Sequence, residues 1–468
     1  MGSRGGGGRS ISQEAFEEMV RENMEDLGME PAEALEDAIH ALSLQGVDLT
    51  GIVKCIPGTG AKDDDPVLQV LHALNKMVAA GPPRQSSLGE MVQLLDRLRD
   101  LCSCGGVRGG AENASIAVRN GAVEMLCSLC SSLDIGEERA LLAALKALRS
   151  ILHDTRSTDV FQNSDGPKLV MHIVEEGNQS ISLMDCAFAV IAVAATGNEI
   201  VKESFMDLKI DELFLQNLKR QSNACAGSMY DAIRVLLTPD DDRVLASQVY
   251  GYARRFAQVG IADALVVALK NVPRSPSTIS VCTALKAVAV NDEICRSISE
   301  IGGIEAILQC IDESDQQINK AIARSCCSLL SKLAGSDTNK SAIVQKGGLD
   351  KLIKISLRFS DEPAVLQEIM TVISILSLRS PENAARAMEA GAGDFAMQAM
   401  HKFPAAYQMQ RQSCLMIRNL VVRNPENRTI LLSNGVEKLI RKARASHESC
   451  KDAASDALRD LGLDDYNY

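Results

Sequence analysis

The segment Pro425–Leu439, PENRTILLSNGVEKL, reads as a short helix, a glycine break and the start of a second helix. One unit earlier the same phrase stands as PENAARAMEAGAGDF, with Gly391 in the place of Gly435. The break recurs at Gly347, Gly302, Gly260, Gly166 and Gly121, and one degenerate copy, ESFMDLKIDELFL, has Leu208 where the glycine is expected. Successive gaps are 45, 42, 52, 42, 45, 44 and 44 residues. A chain punctuated at so even an interval repeats one supersecondary unit. No such unit can bury its apolar face alone, so the units fold as a stack.

A helix ends at least cost on a residue in the left-handed conformation, which glycine adopts without a side-chain penalty. Asn113, Asn339, Asn383 and Asn427 each lie eight residues before their glycine, a spacing that predicts an N-cap on the short first helix. The third helix of each unit carries apolar residues at helical spacing, as in Leu145, Leu148 and Ile151, or Ile369, Val372, Ile373 and Leu376. A period in the low forties with two or three helices per unit is the signature of armadillo and HEAT arrays. The predicted fold class is all-α, a right-handed superhelical solenoid of about eight armadillo repeats with a helical N-terminal region.

Composition sets the remaining bounds. Aromatics are 3% of the 468 residues and tryptophan is absent, so small and aliphatic side chains must do the packing. No apolar run approaches the ~18 residues of a membrane span. The opening MGSRGGGGRS has no apolar core of the secretory kind and reads as a disordered tail or cloning scar over residues 1–10. Residues 11–65 hold 14 Asp and Glu against Arg21, Lys54 and Lys62, a net of −11 out of −12 for the chain. Within them, 11–55 are predicted to be an acidic helical region, with helices from Ser12 to Leu27 and from Pro31 to Gln45, and 56–65 a linker. Residues 66–110 are expected to form a helical capping unit and 111–468 the repeats.

Catalytic and metal-binding patterns are few. Cys127 and Cys130 are spaced as C-x-x-C behind Cys102 and Cys104, but they fall in an apolar helical pattern with Leu126, Leu129 and Leu133. The 14 cysteines therefore read as reduced, buried small hydrophobes rather than zinc ligands or disulfides. The six histidines form no metal constellation, and Gly58-Thr59-Gly60-Ala61-Lys62 lacks the spacer and the following Ser or Thr of a phosphate loop. Neither a cofactor nor a catalytic activity is expected.

Two places point to interaction. The unit before Gly260 is about ten residues too long, and the excess maps to Thr238–Ser247. Asp240, Asp241 and Asp242, followed by Arg243, predict an exposed, partner-facing loop there. On the third helices, alignment on Ile417-Arg418-Asn419-Leu420 places a basic residue at the Arg418 or neighbouring slot in six of eight units. These are Arg149, Arg234, Lys286, Lys332, Arg418 and Arg459, with Asn419 the only asparagine at the second slot. A basic groove without tryptophan suits an extended acidic protein segment, and nothing in the charge pattern suits nucleic acid. The acidic arm is itself a candidate occupant of that groove, at the end nearest Arg149, and the alternative is that it packs as a fixed helical cap or binds a partner of its own.

The chain also resembles the armadillo repeat-containing protein 6 family. The matching phrases are Val20-Arg21-Glu22-Asn23, Gln45 to Leu49 with Ile52-Val53-Lys54, and Asp240 to Val244. Ile417-Arg418-Asn419-Leu420-Val421 and Ala457-Leu458-Arg459-Asp460-Leu461-Gly462 match near the end. The resemblance implies a non-catalytic intracellular interaction protein, cytoplasmic or nuclear, and supplies no catalytic residues. The expected function is that of a monomeric protein-binding scaffold. The competing reading is a cofactor of a chaperone or other nucleotide-dependent machine that clamps a folded domain.

Overall fold

A computed structural model describes residues 9–57, 65–79, 85–103, 109–220, 227–272, 275–312 and 320–464. Most of the expected tail and linker, Gly58–Lys62 and Cys104 lie outside the described residues. The chain divides into two compact units, 1–210 with 239–244, and 211–238 with 245–468.

The first unit opens with α1 (Gln13–Glu25) and α2 (Pro31–Leu44). The Ser12 hydroxyl accepts from the Ala15 amide at the start of α1, and Pro31 fills the first turn of α2, as the sequence predicts. The two helices share a small core of Phe16, Val20, Ala34, Ala38, Leu42 and Ile52. A short parallel pairing of β1 (Arg9–Ser10) with β2 (Val47–Asp48) ties the ends of this module together. Next come α3 (Pro66–Ala79) and α4 (Gln85–Ser103). The first repeat is α5 (Gly110–Arg119), α6 (Ala122–Ser132) and α7 (Glu138–Ile151). The second is α8 (Thr155–Asn163), α9 (Gly166–Glu176) and α10 (Ile181–Ala195), followed by α11 (Glu199–Asp207).

The second unit holds nearly all of α12 (Ile210–Arg220), then α13 (Gly227–Leu236) and five complete repeats. These are α14 (Ser247–Val259), α15 (Ile261–Asn271) and α16 (Ser277–Val288), then α17 (Asp292–Glu300), α18 (Gly303–Asp312) and α19 (Lys320–Leu333). The sixth repeat is α20 (Asp337–Gln345), α21 (Gly348–Arg358) and α22 (Pro363–Ser377). The seventh is α23 (Pro381–Glu389), α24 (Ala392–Lys402) and α25 (Tyr407–Val421), and the last is α26 (Pro425–Ser433), α27 (Val436–Ser446) and α28 (Lys451–Asp460). Within each unit, second helices pack on second helices and third on third. The core between them is aliphatic and small, including Ala323, Leu330, Ile369, Ile373, Ile417 and Ala457.

Six of the seven punctuating glycines are left-handed, at 121, 260, 302, 347, 391 and 435. The other two assignments need correction. Asp165 (φ 53°), not Gly166, takes the left-handed turn, and Lys209 (φ 60°), not Leu208, does so in the degenerate copy. Gly166 is the first residue of α9, where a Cβ would lie 2.3 Å from the Phe161 ring. Gly303 and Gly348 hold the same place, against Ile298 and Ile343. With these positions the first two intervals become 44 and 44 instead of 45 and 42.

The asparagines are not N-caps. Asn113, Asn339, Asn383 and Asn427 lie inside their first helices and are buried. Their amides donate to carbonyls left open at the end of the preceding third helix or its equivalent. Asn113 reaches Leu101 O at 2.8 Å, Asn383 reaches Leu376 O at 3.2 Å, and Asn427 reaches Leu420 O at 2.8 Å. A helix C-terminus has unsatisfied carbonyls, and a buried amide supplies the donors they lack.

Candidate functional site

In the second unit α13, α16, α19, α22, α25 and α28 form a continuous row, and in the first unit α4, α7 and α10 form another. Arg149 is exposed on α7. On α13, Arg234 is half-buried beside Asp231, at 3.7 Å. Lys286, exposed on α16, donates to the Ser328 hydroxyl of α19 at 2.7 Å. Lys332 is exposed near the end of α19, and so is Arg324 on the same helix, which the slot alignment does not pick out.

Toward the C-terminus the slots are occupied by the chain's own groups. Arg418 Nε donates to Asp460 Oδ2 at 3.0 Å, and its Nη1 lies 3.1 Å from Asp456 Oδ2. Arg459 pairs with Asp456 at 2.8 Å. The row of six free cations expected from the alignment is therefore interrupted at its end, because α28 presents two carboxylates four residues apart to α25. Asn419 makes the backward contact instead, donating to Ser374 O at 2.9 Å and Ser374 Oγ at 3.0 Å.

The insertion also departs from expectation. Asp242 and Arg243 are exposed, but Asp241 is buried. Its carboxylate accepts from the Glu199 and Arg243 amides, both at 3.0 Å, and from the Arg243 guanidinium at 2.8 Å. The Arg243 bond, with the two amides behind it, holds the Asp241 carboxyl well below the usual carboxylate range. Asp240 pairs with Lys202, whose side chain is wholly buried and whose ammonium also lies 2.8 Å from Glu199 Oε1. Burial pushes the Glu199 carboxyl up despite that lysine. The charges of this segment are thus used to fasten residues 239–244 to the start of α11. Lys340 stands at the same offset in the sixth repeat, again buried and paired with an acid three residues earlier, Asp337, at 2.7 Å.

A family model described as ARMC6 matches residues 67–465, and one described as the armadillo repeat-containing protein 6 N-terminal domain matches residues 8–67. The chain belongs to the armadillo repeat-containing protein 6 family. It is 28% identical over 394 residues to armadillo repeat-containing protein 6 of Pongo abelii, covering 80% of this chain and 75% of that one. The Homo sapiens protein of that name is 27% identical over 394 residues, with the same two coverages, 80% and 75%. The Drosophila melanogaster homolog is 25% identical over 392 residues, covering 81% of this chain and 80% of that one. The crystal structure of an engineered protein aligns over 97% of this chain and 99% of its own, with a TM-score of 0.67 at 15% identity, a likeness of fold alone.

The armadillo repeats account for an all-α solenoid, and such repeats generally bind other proteins. The twelve cysteines described are buried and form no disulfide. Burial pushes Cys102, Cys127 and Cys414 up to about 12 and Cys186 to about 11, far from the thiolate a nucleophile or metal ligand needs. Among the described residues no three His, Cys, Asp or Glu are grouped to hold a metal, and no helix is long and apolar enough to cross a membrane.

Of the two places open to the acidic arm, the described residues 9–57 take that of a cap and not the third-helix groove. Their polar contacts run to α5, a first helix. Arg119 Nη1 donates to Ile11 O at 2.9 Å, and Lys54 pairs with Glu112 at 3.0 Å. At Gly51 (φ 75°) a Cβ would lie 2.6 Å from Ser115 O, so only glycine permits that approach. Residues 9–57 form a fixed cap there.

Proposed function

We propose that the protein is a non-catalytic scaffold that holds an extended acidic segment of another protein across α16 and α19. The observation that carries this reading is the cluster of Lys286, Arg324 and Lys332 on two adjacent third helices. None of the three has a carboxylate partner among the described residues, whereas Arg418 and Arg459 do. Ser328 lies between Arg324 and Lys332 on α19 and accepts from Lys286, so the three cations are held on one stretch of the two helices. Exposed ion pairs contribute only ~0–1 kcal/mol each, so several must act together and added salt weakens them.

Affinity capture with the full chain and with a Lys286→Glu, Lys332→Glu variant tests the proposal. Partners held by the unaltered chain at low salt should be missing from the variant, while Arg149→Glu keeps them. Identical partner sets from all three proteins reject the reading.

A further inference from the structure

The second helices of the last three repeats make their own row, α21, α24 and α27, packed side by side. Between α21 and α24 lies an apolar cleft of about 280 Å³, walled by Ile353, Leu357, Leu366, Phe395 and Ala399. Between α24 and α27 lies a second cleft, of about 230 Å³ and mixed lining, with Met400, Pro404 and Leu439 beside His401, Gln410 and Lys442. Both fall below the ~300–1,000 Å³ of small-molecule sites and suit single anchoring side chains.

Leu357 marks the first cleft as more than a packing gap. It stands ten residues after its left-handed glycine and is 66% exposed. At the same offset in other repeats the chain has Ser131, Glu175, Lys219, Lys270, Asp312 and His401. In the last repeat the position is Ala445, so Leu357 is the one large apolar side chain in the series, and its exposure leaves apolar surface in water.

The surround is basic. The three helices carry eight Lys and Arg against three Asp and Glu. Lys354 and Arg358 are exposed on α21, Lys402 on α24, and Lys438 and Lys442 on α27. Four of the eight have carboxylate partners among the described residues: Lys351 pairs with Asp312, Lys402 with Asp361 at 2.7 Å, Arg441 with Glu437 at 2.7 Å and Arg444 with Asp464 at 2.8 Å, which leaves Lys354, Arg358, Lys438 and Lys442. Adjacent helix axes lie ~8–10 Å apart, about the rise of seven residues of an α-helix. Two side chains about seven residues apart on one helix, the first of them apolar, can therefore enter neighbouring clefts.

We propose that this row is a second docking surface, taking an acidic amphipathic helix whose aliphatic or aromatic anchor enters the cleft between α21 and α24 and whose acidic side chains face the exposed lysines and arginines. It uses none of Lys286, Arg324 and Lys332, so the two surfaces can be occupied independently.

The experiment is a selection from a random peptide display library on the immobilised full chain, followed by binding isotherms for the enriched peptides. Two variants at exposed positions serve as controls: Leu357→Glu removes the anchor contact and repels acid, and Gln398→Trp fills the cleft. Circular dichroism melts establish that both remain folded. Enriched peptides should be rich in Asp and Glu, carry apolar residues at helical spacing, and lose at least tenfold in affinity to each variant. Their affinity should be unchanged by Lys286→Glu with Lys332→Glu, which separates this surface from the third-helix face. The proposal is overturned if no selected peptide distinguishes the unaltered chain from Leu357→Glu and Gln398→Trp. Self-association abolished by Leu357→Glu, seen by sedimentation, overturns it too, because the occupant is then a second copy of the chain.

Discussion

The side-chain amide of Asn339 donates to the Cys295 carbonyl of the preceding repeat at 2.9 Å and to the Leu333 carbonyl at the end of α19 at 3.0 Å. Asn427 repeats the arrangement with Ala384, at 3.3 Å, and Leu420, at 2.8 Å. One buried amide therefore joins a first helix to the first helix before it and to a third-helix terminus. Asn339→Ala should cost roughly 1–3 kcal/mol, the penalty of leaving buried carbonyls without a donor. Asn339→Asp should cost more than alanine, because a carboxylate has no donors and faces two oxygens. Urea unfolding midpoints of the two variants decide it: an N-cap would tolerate aspartate, and equal or better stability for Asn339→Asp would return the residue to that role.

Asp241 gives a pH dependence with a definite sign. Its carboxyl is held below the ordinary range by Arg243 and two backbone amides, so the charged form is the one the fold favours. The stabilisation is fully present above the unfolded carboxylate pKa of ~3.9 and is lost as pH falls through the lower folded value. Asp241→Asn should lose about 1.5–3 kcal/mol at neutral pH. The gap to the unaltered protein should narrow below the ordinary carboxylate range. A gap constant with pH would show that the Arg243 contact contributes nothing.

How far the sequence was legible follows from what each residue type can signal. Gly121, Gly260, Gly302, Gly347, Gly391 and Gly435 were legible because left-handed turns select glycine. Asp165 and Lys209 do the same job with ordinary residues, and Gly166 drew attention for a different reason, its closeness to Phe161. Asn113, Asn339, Asn383 and Asn427 had the right offset but the wrong role, since donating and accepting amides look alike in a sequence. The basic slots were found by alignment, but their neutralisation by Asp456 and Asp460 needs α28 placed against α25. The burial of Asp241 is not legible because three consecutive acids signal solvent, while the Glu199 amide it accepts from lies 42 residues earlier. The matching offset of Lys202 and Lys340 was the available clue.

Lys209 holds φ at 60° without being glycine. A side chain in the left-handed region costs roughly 1–2 kcal/mol, offset in part by the greater chain entropy that glycine loses on folding. Lys209→Gly should raise stability by up to about 1 kcal/mol. Gly391→Val should lower it by roughly 1–3 kcal/mol. Space is not the obstacle at Gly391, where a Cβ would meet nothing nearer than Ile353 at 4.0 Å. Unfolding midpoints that move the other way at either position would displace the turn register.

The cysteines should behave as inert packing groups. Labelling with a maleimide at neutral pH should be slow for the native protein and rapid once urea exposes the twelve described thiols. Fast native labelling at Cys102, Cys127 or Cys414, read by peptide mass mapping, would contradict the burial that raises their pKa values to about 12.

Lys202 is the most consequential buried charge in the first unit. Its side chain is 0% exposed and Glu199's is 3%, and Glu199 Oε2 has no hydrogen-bond partner. Removing the lysine strands Glu199 in a place where a lone carboxylate is expensive. Lys202→Met should therefore cost about 3–5 kcal/mol at neutral pH. Adding Glu199→Gln should recover much of it, since the remaining group is neutral and the side chains keep similar volumes. The pH sign is opposite to that of Asp241. Glu199 has a raised folded pKa, so its charged form is disfavoured, and the penalty in Lys202→Met should shrink as pH falls through that value. Urea unfolding of the single and double variants, compared with Glu199→Gln alone, measures the coupling directly. Additive effects would mean that the two charges are screened by water and that the segment from Pro239 to Val244 is held by Asp241 alone.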